Sequence, residues 1–270
     1  MAWVKRTGGA MGEYREEWDN YLCLVEKETA SMFLDLGYAR VAPLAEKPWL
    51  IRVRLACRAV RENGLPTSDE MTALQDLEEE VLSRVEGRAS LSLVGSVTTG
   101  GAREIVFYAS TDDALKEDEL TMVVPKRRAA PFLVAEEDPA WEYYLQFMQP
   151  SAEEYRRMLD TRVLRNLDRD GDVSSTPRRV DHWVYFEDAG ARDRFVAWAV
   201  GEGYSVEQRI DPDDERDAIG VQIHHVSDVL PGTIHPTIAS LVKAAEDRDG
   251  RYDGWETFVM RAAGPPTDRP

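Results

Sequence analysis

RRVDHWVYFE, Arg178 to Glu187, places Val180, His182, Val184 and Phe186 on one side of an alternating run. A period of two is the signature of a half-buried strand. Working outward, Asp188 to Gly203 reads as a helix with Phe195, Val196, Trp198 and Ala199 mostly inward. Tyr204 to Ile210 and Ile219 to Val226 alternate again and read as strands. Thr233 to Asp249 carries Ile234, Ile238, Leu241, Val242 and Ala245 at helical spacing, and Arg251 to Met260 (RYDGWETFVM) is a last strand. Upstream, Ser151 and Glu154 form a capping box that opens another helix, and Gly171 closes it. Strands and helices interleave, but some strands are hairpin-linked. That pattern predicts an α+β fold, a mostly antiparallel sheet with helices on one face, rather than a parallel doubly wound sheet.

The first half reads the same way. Trp18 to Glu26 and Ala30 to Leu36 are strands around a turn at Lys27-Glu28. Pro48 to Cys57 is a third strand, in which Leu50, Arg52 and Arg54 make a wet face and Ile51, Val53 and Leu55 a buried one. Thr67 and Glu70 form a capping box before a helix whose apolar stripe is Met71, Leu74, Leu77, Val81, Leu82 and Val85, with Glu78, Glu79 and Glu80 mostly in water. Leu91 to Val97 and Arg103 to Ala109 are strands joined by Thr98-Thr99-Gly100-Gly101, and Asp112 to Val124 begins as a helix.

The chain has 270 residues, enough for two domains of roughly 100–150 residues, each able to bury a core without disulfides or metal. The Pro- and charge-rich stretch PKRRAAP, Pro125 to Pro131, is the candidate boundary. The expected organisation is a tail over 1–12, one α+β domain over 13–135, a second over 136–261 and a tail over 262–270. Trp18-Asp19-Asn20-Tyr21-Leu22 returns as Trp141-Glu142-Tyr143-Tyr144-Leu145, which, unless it is coincidence, suggests that the two halves share an ancestor or pack as a pseudo-dimer. Mean hydropathy is -0.44, and no apolar run reaches the ~20 residues of a membrane helix. The N-terminus does not read as a secretory signal, and Cys23 and Cys57 are too few for a disulfide scaffold, so the expected compartment is the cytoplasm.

Net charge is -17, and after Ala135 there are 28 acidic against 16 basic residues. Such a surface disfavours direct nucleic-acid binding and attracts a basic protein. The acids of the run at Asp211, Asp213, Asp214, Glu215 and Asp217, with Asp247 and Asp249, are the candidate contacts, and a solvated turn is the plainer reading of the run. No nucleotide-binding glycine motif, G-x-S-x-G or H-E-x-x-H is present. His224 and His225 are adjacent in a strand and point to opposite faces, whereas His182 and His225 are able to meet across a sheet. The Asp168–Asp172 stretch lacks the glycine and glutamate positions of a calcium loop. Neither a catalytic residue, a cofactor nor a metal site is expected. If there is an enzyme here, His182, His225 and Asp253 are the groups to nominate.

Tyr252-Asp253-Gly254-Trp255-Glu256-Thr257-Phe258 resembles the closing strand of the RraB family, regulators of ribonuclease activity that inhibit ribonuclease E as proteins. Asp181-His182, the apolar helix from Ala191 to Val200, and Glu202-Gly203-Tyr204-Ser205-Val206 match the family's order of elements. The resemblance spans about Tyr155 to Met260. It makes Tyr252, Asp253, Gly254, Trp255, Thr257, Gly203 and Tyr204 the motif residues, either as core or as interface. The opening E-x-W-D-x-Y-L-C-L, with Pro48-Trp49-Leu50, resembles an uncharacterised bacterial domain, the domain of unknown function six-nine-five, which implies no chemistry. The resemblance implies a non-catalytic regulator whose partner is a ribonuclease or its complex. An immunity or adaptor protein that sequesters a basic partner remains the alternative, and an enzyme with an unrecognised site a third.

Overall fold

The computed structural model describes residues 13–121, 131–212 and 218–261. It divides into two compact units, Met1–Met158 and Leu159–Pro270. The first unit is built on a six-stranded antiparallel sheet. Its strands are β1 (Trp18–Val25), β2 (Glu28–Asp35), β3 (Trp49–Ala56), β4 (Leu91–Thr99), β5 (Ala102–Ala109) and β6 (Phe132–Glu137). Their order across the sheet is β1-β2-β4-β5-β3-β6. The β1–β2 turn centres on Glu26 and Lys27, both at positive φ, one residue earlier than the sequence suggests.

Helix α1 (Ser68–Val85) presses Leu74, Leu77, Val81 and Val85 onto Ile51, Val53, Leu55, Ile105 and Phe107. Thr67 caps it as expected, its hydroxyl accepting from the Glu70 N–H. The Glu70 carboxylate does not complete the box, because it accepts from the Arg58 N–H at 3.0 Å. Glu78, expected in water, is buried and bridges Arg103 at 2.5 Å. The helix expected from Asp112 is described only as α2 (Glu117–Thr121), and PKRRAAP up to Ala130 lies outside the described residues.

Two expectations need correction. Leu50 is not on a wet face, since it is 2% exposed under a second layer that covers the opposite side of the sheet. That layer comes from the second W-[DE]-x-Y-L copy and the helical turn it enters (Tyr143–Met148). Trp141 stacks on Tyr108 at 3.9 Å and donates from its indole N–H to the Lys47 carbonyl. The Asp138 carboxylate accepts from the Glu142 and Tyr143 N–H groups and starts the turn. Thus the division expected after Ala135 falls later: β6 pairs with β3, and Trp141, Tyr144 and Met148 belong to the first core.

The second unit takes up α3 (Ala152–Arg169) from Leu159 onward, then β7 (Arg178–Phe186), α4 (Ala189–Gly201), β8 (Ser205–Ile210), β9 (Ile219–Ser227), α5 (Pro231–Glu246) and β10 (Gly250–Thr257). The Ser151–Glu154 box that opens α3 is complete in both directions. All strand pairs are antiparallel, in the order β10-β7-β9-β8. A β-α-β-β-α-β succession on such a sheet is ferredoxin-like, so the chain is of the α+β class in both units. Val184, Val221 and Ile223 meet Phe195, Ala199 and Leu241 in one cluster, and Val180 and Trp255 meet Leu167, Ile234 and Ile238 in another. The helices of this unit therefore gather on one sheet face.

Candidate functional site

Strand alternation sets the chemistry of the second sheet. His182 projects from β7 into the helix-covered face and is fully buried. Its Nδ1 is 2.8 Å from the Tyr252 hydroxyl and its Nε2 is 3.1 Å from His225 Nδ1. His225 Nε2 is 2.9 Å from Ser227 Oγ, and Ser227 donates to the Asp228 carbonyl. One proton arrangement satisfies every link: Tyr252 donates to His182, His182 to His225, His225 to Ser227, and Ser227 to the carbonyl. Both rings are then neutral, each carrying its proton on Nε2. Burial, with His225 alongside, pushes the His182 pKa down to about 3, and burial also lowers that of His225. The chain of bonds crosses β10, β7 and β9 and locks their register. The two histidines do meet, but Asp253 does not join them. It is the extra residue of a bulge in β10, paired with Arg251 at 2.6 Å.

The remaining motif residues serve the same core. Trp255 is buried and its indole donates to the Asp160 carboxylate at 2.9 Å. Thr257 donates to the Arg179 carbonyl at 2.6 Å. Gly203, at φ +93°, turns the chain out of α4, and Tyr204 meets both His182 and His225 edge-on. A buried ion pair of Arg178 and Asp172 ties β7 to the segment after β10. Burial raises the Asp172 pKa, but bonds from Arg178, the Met260 N–H and Ser174 outweigh it and leave the carboxyl below its usual value.

The opposite sheet face carries no helix of this unit among the described residues. Trp183 and Tyr185 stand on it, half-buried, where sequence reasoning noted only the core-facing partners of the alternation. Gly254 is the cross-strand neighbour of Trp183, and Gly220 that of Tyr185. A Cβ on Gly220 would lie 2.8 Å from the Tyr185 ring, so glycine is what lets the ring lie flat. Arg251 stacks over Tyr185 at 5.8 Å. Beside the aromatics runs a bonded array: Arg179 to Asp181 and Glu207, Gln222 to Asp181, and Gln208 to Gln222. His224 sits here, 3.6 Å from Glu207. Two rigid aromatics with a paired polar border form a surface suited to a protein partner.

The acidic candidates lie elsewhere. Asp211 bridges Arg192 at 2.5 Å, Asp247 bridges Lys243 at 2.8 Å, and Asp249 lies 3.7 Å from Arg194. Asp213, Asp214, Glu215 and Asp217 lie outside the described residues. Among the described residues no group of three or more His, Cys, Asp or Glu is placed to hold a metal ion, and no helix is long and apolar enough to cross a membrane.

A helix-backed antiparallel sheet with a buried polar relay and an aromatic open face defines the second unit as a ferredoxin-like α+β domain. Residues 157–257 match the family described as regulator of ribonuclease activity B, RraB, and residues 16–149 match a family of unknown function, DUF695. The chain therefore carries a DUF695-like domain followed by an RraB-like domain. RraB is a regulatory family. No curated protein matches this chain. A crystal structure of an unknown protein from Galdieria sulphuraria is similar at 10% identity, over 79% of this chain and 99% of that one, with a TM-score of 0.21.

Proposed function

We propose that the chain is a non-catalytic cytoplasmic regulator whose RraB-like unit binds a ribonuclease of the E type, or a component of its complex, and modulates RNA turnover through that contact. The match of residues 157–257 to RraB carries this reading. The open face supports it with Trp183 and Tyr185, aromatic anchors of the kind that dominate protein interfaces. The net charge of -17 supports a basic protein partner and opposes direct contact with RNA. His182, the best-placed group for acid–base work, is fully buried with both ring nitrogens bonded, which favours a structural role.

The test is a cleavage assay with purified ribonuclease E and a structured RNA, titrated with the full chain. The expected result is a saturable change in cleavage rate, while the chain alone neither cuts the RNA nor retards it in a gel. An unchanged rate at large excess of the chain, or direct RNA binding or cleavage by it, would refute the proposal.

A further inference from the structure

The first unit holds an uncovered groove that the reading above does not use. A six-stranded sheet is about 24 Å wide, and one helix of about 10 Å diameter covers less than half of it. Helix α1 lies over the β3–β5 side, leaving the β1–β2–β4 side of the same face open among the described residues. The floor there has apolar anchors in Trp18, Phe33 and Leu93, with Asn20 and Ser31 among them. Trp18 stacks on Phe33 at 4.9 Å, and Phe33 is 37% and Leu22 57% exposed. Met71 and Leu82, which the sequence puts in the apolar stripe of α1, are half-buried, Leu82 against the edge of the core, and both wall the groove, which encloses about 880 Å³. Carboxylates of Glu16, Asp76 and Glu79 line it. Its lining cation, Arg103, is already held by Glu78 at 2.5 Å and by Thr98 at 2.9 Å.

We propose that this groove docks a basic amphipathic helix of a partner protein. The open strip has the width of one helix packed beside α1 on a sheet. Its floor offers apolar contacts for anchors at i, i+3, i+4 and i+7, and its border offers negative charge to lysines and arginines on the flanks. A second copy of this chain is a poor occupant, since each brings a net charge of -17.

The probe is a fluorescent synthetic 18-residue peptide with leucines on one helical face and lysines and arginines elsewhere. Its control is a scramble of the same composition with no apolar face. Anisotropy titrations use the full chain at physiological salt. The amphipathic peptide is expected to bind at least about tenfold more tightly than the scramble, and Phe33→Asp to weaken it about tenfold. The exposed pair Asp76→Lys with Glu79→Lys should weaken it as well and flatten its salt dependence, which covers the case in which Phe33→Asp unfolds. Phe258→Asp, exposed in the other unit, should leave binding unchanged. Equal affinity for both peptides, or full affinity in the folded groove variants, would overturn the proposal. So would a dimer in sedimentation that Phe33→Asp dissolves, which would give the groove to a second copy.

Discussion

His182 is neutral in the folded protein, with a pKa of about 3 against an ordinary 6.5. The unfolded chain takes up a proton as pH falls below about 6.5 and the folded one does not. Stability from this residue is therefore complete above about pH 6.5 and declines toward pH 3, by up to about 1.4 kcal/mol per pH unit. Asp172 has the same sign, but its contribution is lost only below its ordinary 3.8. Glu119, held low by Arg88, has the same sign and its contribution is lost below about its ordinary 4.5, so the interval from about 5 to 6.5 reports on the histidines. Denaturant melts across that interval should show a slope that His182→Gln reduces, and an unchanged slope would refute the assignment. Trp255→Ala should lower the stability of the second unit by about 3–5 kcal/mol, because it empties a core site and leaves Asp160 without its indole donor. Thermal melts of this variant and wild type measure the loss. A Trp255→Ala protein that melts like wild type but fails to bind ribonuclease would make Trp255 a contact instead.

Helix α3 shows how far local sequence goes at the scale of an element. Ser151 and Glu154 satisfy each other's N–H groups, as their spacing predicts, and Ser151→Ala should cost about 1 kcal/mol by denaturant melting. The capping box at Thr67 is half legible, because Glu70 finds a better partner in the Arg58 N–H, which no local pattern reveals. The two W-[DE]-x-Y-L copies share a sequence and not a structure. The first is strand β1, whereas in the second Trp141, Tyr144 and Met148 stand at i, i+3 and i+7, a helical spacing, and all three are fully buried. Asp138, three residues before Trp141, supplies the helix start. In β7 the alternation identified the core side correctly. The other phase of the same pattern, Trp183 and Tyr185, held the candidate interface, and Gly220 on β9 makes room for Tyr185 through a register that sequence alone does not give.

The two units make a prediction about the whole chain. Since Trp141, Tyr144 and Met148 complete the first core, a fragment ending at Ala135 should fail to fold, while one ending at Met158 should melt cooperatively. Circular dichroism melts of the two fragments decide it, and a cooperative melt of the shorter one would contradict the core described here. The net charge of -17 predicts that affinity for ribonuclease E falls as sodium chloride rises, and affinity flat in salt would reduce the acidic surface to a solubility device. The central claim is that the RraB-like unit acts through the open face of its sheet. Isothermal titration of ribonuclease E with the full chain and with Trp183→Ala tests it most directly. The account predicts wild-type binding that weakens at least about tenfold in Trp183→Ala, with the melting temperature unchanged. Equal affinity of the two proteins, or no binding by either, would contradict it.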